Sequence, residues 1–251
     1  MEVHAHTHTE RKRWTHYFWE FLMLFLAVFC GFLAENFREH QIEKNRAKQY
    51  LRSLYEDLKN DTTRINILIN YDDEKIATLN NMFTCYDTVL KNLKATACMG
   101  MLLKHSRSNR GFVLTDRTLK QLANAGGYRL LSKEDADSII AYENMYKGYL
   151  DFQTTVFQHS QDNVRNTLNE IADFKVNAPL QVTTATLSLD TTSSTLNGPL
   201  LFIEDRGLLN KWFNELSMYL RTTNGQRNSM IQLKKKAIGL LQYYKSKHHF
   251  E

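Results

Sequence analysis

The stretch Tyr17-Phe-Trp-Glu-Phe-Leu-Met-Leu-Phe-Leu-Ala-Val-Phe-Cys-Gly-Phe-Leu-Ala34 decides the fold. Wound as an α-helix it reaches about 27 Å, close to the apolar thickness of a bilayer. Its uninterrupted apolar part runs from Phe21 to Ala34, and Trp14, Tyr17 and Trp19 place an aromatic belt on the N-terminal side. A cleaved signal peptide needs small residues at the −3 and −1 positions; before Glu35 these are Phe32 and Ala34. A lipoprotein would use Cys30, but Phe29 stands where a small residue belongs. The expectation is an uncleaved signal anchor over residues 17–34. Glu20 lies within one turn of its edge, where a carboxylate snorkels to the interface or engages a partner helix.

On the N-terminal side, residues 1–16 form a short basic tail in which His4, His6 and His8 alternate. Extended, they face one way and could share Zn, Ni or Cu, but no fixed fourth ligand or second shell supports them, so no metal is assigned. Arg11, Lys12 and Arg13 precede the span; Arg38, Lys44, Arg46, Lys48 and Arg52 follow it. The bare count slightly favours a cytoplasmic C-terminus. The compact N-terminal cluster, the dilution of the later basic residues by Glu35, Glu39 and Glu43, and the chance of a cysteine pair point the other way. The expected topology has a cytoplasmic N-terminus and a periplasmic domain, anchored in a bacterial inner membrane.

On the C-terminal side, the two prolines, Pro179 and Pro199, decide the architecture: long helices are permitted before and after them. Ala47, Leu51, Leu54, Leu58, Ile65 and Leu68 alternate spacings of three and four, interrupted at Asp61, which reads as a heptad seam. A second register, from Ile76 to Ala97, follows a shift around Tyr71-Asp72-Asp73. The span therefore continues into a coiled-coil-like stalk, 35–95, completing a helical bundle, 96–251. Thr115 is a candidate N-cap for a short helix from Asp116 to Ala125, and Ser132 with Asp135 resembles a capping box for a helix from Lys133 to about Lys175. Residues 177–204 read as an extended Pro/Thr/Ser linker. A last helix, about Asp205 to Lys247, would pair antiparallel with its predecessor and return its basic end, Lys234 to His249, toward the membrane. There it either meets anionic headgroups or is an ordinary solvated helix end. The fold class is all-α.

The chain has 251 residues, 43% apolar and 24% charged, enough for a core and too apolar for disorder. A net charge of +5 spread along the chain does not indicate nucleic-acid binding. Hydrolase, P-loop, dinucleotide, zinc-protease and EF-hand patterns are absent, so neither an enzyme nor a cofactor is expected. Cys85 and Cys98 are too far apart for a CxxC motif, and one continuous helix would hold them about 20 Å apart. Buried free thiols are then the ordinary expectation, and a disulfide requires a bend between them. Gly126, Gly127, Tyr128 and Arg129 follow a short helix, where they could line a small pocket or simply form a helix turn.

The block His4-Ala-His-Thr-His-Thr9, the run Trp14 to Asn36 and Arg38-Glu-His40 resemble an uncharacterised family of single-pass, mostly helical membrane proteins of Bacteroidota; the likeness around Leu119 to Leu131 is looser. The resemblance implies a bacterial inner-membrane protein with a helical extramembrane domain, and no activity. The functional expectation is a membrane-anchored, non-enzymatic protein that self-associates or binds an envelope partner through the seam Leu51, Leu54, Leu58, Ile65 and Leu68. The alternatives are a ligand-sensing bundle with a pocket at Gly126–Arg129 that signals through a partner, and an accessory subunit of a multi-pass complex using Glu20.

Overall fold

The computed structural model describes residues 14–91, 96–172 and 205–250. His4, His6, His8 and the whole 177–204 linker lie outside them. Among the described residues all regular structure is helical: α1 (Trp14–Asn80), α2 (Met82–Lys91), α3 (Thr96–Arg107), α4 (Arg117–Asn124), α5 (Lys133–Asp151), α6 (Gln158–Ile171) and α7 (Arg206–His248). A 3-10 turn (Gly127–Leu130) follows α4, and a π-helical segment (Phe152–Phe157) joins α5 to α6 without interruption.

No proline or glycine interrupts α1 between Gly31 and Asn80, and the helix continues unbroken from the apolar stretch into the bundle. It is long and apolar enough to cross a membrane, and none of its most apolar window is buried. A core helix of a soluble protein would bury that window; here every residue from Trp14 to Gln49 is exposed except Leu22 and Ala47. Burial begins at Leu51. The Tyr71-Asp72-Asp73 shift does not break the helix. The break falls at Asn81, a turn at the second of two consecutive asparagines of low helix propensity, and α2 restarts at once.

Helix α7 runs antiparallel to α1, as its contacts in chain order show. Phe250 packs on Tyr55, Lys234 bonds Asn66, Gln226 bonds Asp72, and Phe213 meets Tyr86 on α2. It is also antiparallel to α5 and α6: Lys247 meets Asp135 near the start of α5, while Lys211 faces Glu170 near the end of α6. Its basic C-terminus thus lies beside Lys48, Arg52 and Tyr55. Measured along α1, these lie about 21–31 Å beyond Ala34. With the membrane edge at Ala34, that separation favours the ordinary solvated helix end over contact with headgroups. At the last turn His249 adopts a left-handed conformation (φ 54°), which folds Phe250 back onto Tyr55.

The apolar seam is covered by the chain's own helices. Leu51, Leu54, Leu58 and Ile65 are at most 3% exposed and Leu68 is partly buried, all in one apolar cluster with Leu119, Leu122, Tyr142, Met230, Leu233 and Tyr244 of the same chain. The chain's own α4, α5 and α7 occupy the groove that a second copy would need. Burying such side chains contributes roughly 1.5–3 kcal/mol each. A second cluster fills the other end of the bundle around Leu79, Val89, Leu102, Leu168, Trp212 and Tyr219.

Candidate functional site

Between the two apolar clusters lies a layer of buried polar groups, at the level of the register shift in α1. Asp72, Lys75 and Gln226 are fully buried. The Lys75 ammonium donates to the Ser108 carbonyl (2.8 Å) and the Tyr219 hydroxyl (3.0 Å). The rings of Tyr71, Tyr219 and Phe157 lie 5.0, 5.2 and 5.7 Å from it. An ammonium stripped of water needs such acceptors and aromatic faces. Even so, burial pushes Lys75 down to about 8, against the pull of Asp72.

Asp72 accepts from the Gln226 amide (3.0 Å), and its Oδ1 has no partner. Burial raises its carboxyl to about 6. The two charges lie one turn apart on α1 without forming an ion pair; each leans on neutral groups from another element. Tyr71 donates to Ser108 Oγ (2.7 Å), and the Arg110 guanidinium sits 4.7 Å from the Tyr71 ring.

The π-helical segment borders this layer. A Cβ on Gly225 would stand 2.8 Å from Phe152, and one on Gly111 would meet the Gln153 amide. Both glycines let the widened turn approach the 108–116 loop and α7. π-Helical turns are frequent at functional positions.

A second polar set explains the interruption of the seam. Asp57 and Asp61, one turn apart on α1, are each 1% exposed. Asp57 accepts from Thr118 Oγ1 (2.5 Å) and Arg117 Nε (2.8 Å). Asp61 accepts from the Thr115 hydroxyl (2.7 Å) and its N–H. The residue expected as a helix cap is thus claimed by α1; the N-cap position of α4 falls to Asp116, whose side chain makes no capping bond. Ser132 does cap α5 through the Asp135 N–H. Burial pushes the Asp135 carboxyl up, but hydrogen bonds from Ser132, Lys247 and His248 outweigh it and hold the group below its ordinary value.

Cys85 and Cys98 form a disulfide, with Cα atoms 5.6 Å apart. The α2–α3 hairpin supplies the required bend, so the free-thiol expectation gives way. Gly126 takes the left-handed conformation (φ 62°) at the end of α4, and a Cβ on Gly127 would stand 3.1 Å from the Leu122 backbone. Tyr128 packs onto the core. Gly126–Arg129 thus form a tight turn at the end of α4. Trp14, Tyr17 and Trp19 are exposed, as a belt requires. Glu20 is half-exposed and pairs with His16 at 3.2 Å across one turn. The buried polar layer was not legible as a site, because its members come from four separate elements; the clue was two charges at the register shift. No protein family, curated protein or solved structure matches this chain.

Proposed function

We propose that this chain is a non-enzymatic, single-pass protein of a bacterial inner membrane, holding its helical domain in the periplasm. It works by docking a different membrane or envelope protein along α1 between the bilayer and the bundle. The observation that carries this reading is the exposure of α1 from Trp14 to Gln49 in a helix that is otherwise packed. Past Ala34 the exposed part extends about 22 Å, which an anchor alone does not require. An isolated helix of that length is marginal in water, and it displays Phe37 and Ile42. Glu35, Glu39 and Glu43 come first, with Arg38 paired to Glu35 among them, then Lys44, Arg46 and Lys48. Two copies rising from one membrane would set like charges level, so a different protein fits better than a second copy. The disulfide supports the periplasmic orientation, since such bonds persist in oxidising compartments.

Photoreactive side chains at Phe37 and Ile42 in native membranes test this. They should cross-link to another protein, whereas one at the exposed Glu74 should not. Cross-links only to another copy, or none, would overturn it. A C-terminal reporter active only in the cytoplasm should stay silent.

A second reading, ligand sensing, is favoured by the polar layer. Asp72 and Lys75 belong to the same helix as the anchor, so any change that reorders the layer acts on a rod reaching the membrane.

A further inference from the structure

Where α1 enters the bundle, the last turn of α7 closes against it and leaves a hollow of about 330 Å³. Tyr55 and Phe250, both buried and with rings 5.6 Å apart, give it apolar lining. Lys48, Arg52 and His249 also line it and are exposed. His248 is already held by Asp135, and Glu56 is the one acid on the wall.

The cations here are unanswered within the described part of the chain. Lys44, Lys48 and Arg52 follow one another at four-residue spacing, on one face of α1, over about 12 Å. Like charges so placed destabilise a helix. Two of the three acids nearer the membrane are taken, Glu35 by Arg38 and Glu43 by His40. Lys44, Lys48 and Arg52 are all exposed and form no ion pair among the described residues.

Position and spacing select what answers them. Along α1, Lys44 lies about 15 Å and Arg52 about 27 Å beyond Ala34, a height that favours a protein over lipid headgroups. A small free anion needs cations converging on one point. These are strung along a rod, which matches carboxylates repeated along a facing segment of another protein. A second copy rising beside this one would hold its own Glu35, Glu39 and Glu43 nearer the membrane than these cations.

We propose, resting on the docking reading above, that the partner is acidic where it meets the bundle. A run of its Asp or Glu side chains lies along Lys44 and Lys48 and ends in the hollow beside Arg52 and His249.

The test uses the full chain in native membranes with a photoreactive side chain at Ile42. Lys48→Glu with Arg52→Glu sets like charge against an acidic partner and should lower the cross-link to another protein at least about tenfold. Arg221→Glu with Lys235→Glu, the same change in net charge on α7 outside the hollow, should leave the cross-link as it is. All four side chains are exposed, and an unchanged melting temperature checks that both variants fold. An equal cross-link from the Lys48/Arg52 variant would overturn the acidic partner while leaving docking intact. Equal loss in both variants would overturn it too, as an effect of net charge alone. No cross-link from the unaltered chain would overturn the docking reading and this inference with it.

Discussion

Asp61 on α1 holds both the hydroxyl and the backbone N–H of Thr115, fifty-four positions away, at 2.7 and 3.2 Å. It thereby fixes where the 108–116 loop enters α4, at a seam position that an apolar residue would otherwise fill. Asp61→Ala leaves these groups without their acceptor and should cost roughly 1–3 kcal/mol in urea unfolding. Adding Thr115→Val should recover part of that loss, because the orphaned hydroxyl is gone.

The seam leucines serve the chain's own core. Leu58→Ala should lower stability by about 2–5 kcal/mol while leaving the sedimentation behaviour of the solubilised protein unchanged. A seam between copies would show the reverse: dissociation at little cost to the folded monomer.

Cys85 and Cys98 close a short loop across the α2–α3 hairpin. Cys98→Ser should cost roughly 3 kcal/mol. Protein from native membranes should resist maleimide labelling at both positions until it is reduced, while Cys30 is unpaired in either state.

Asp72 gives the pH dependence an unusual sign. Its folded pKa, about 6, lies above the ordinary 3.8. Its contribution is fully present below the ordinary value and is lost as pH rises through about 6. Lys75 is displaced downward, so its contribution is present above 10.5 and lost as pH falls through about 8. Near pH 7 both charges weigh against the fold. Asp72→Asn should therefore raise stability at pH 7.5 by on the order of 1–3 kcal/mol, and the gain should vanish by pH 4. Unfolding titrations at the two pH values check both parts.

The buried stripe was legible because an apolar period near 3.5 marks a face that must be covered. The period does not say whose helix covers it, and here α7 of the same chain does. Pro179 and Pro199 lie between the end of α6 at Ile171 and the start of α7 at Arg206, outside the described residues. The Tyr71-Asp72-Asp73 shift was visible and open to reading as a stutter or a break, whereas an unbroken α1 simply carries polar residues where two cores meet. The partners Ser108, Tyr219 and Gln226 could not be found from spacing, since folding alone brings them together. Likewise the Cys85–Cys98 pair depends on a hairpin that no breaker residue announces.

Alkaline carbonate extraction of native vesicles, with N-terminal sequencing of the retained chain, tests most directly whether Tyr17–Ala34 anchors the protein. The full chain should remain in the pellet with its start ahead of residue 17, and a chain beginning at residue 36 should be released. Release of the full chain, or a mature terminus beyond Ala34, would contradict the anchor and the docking surface built on it.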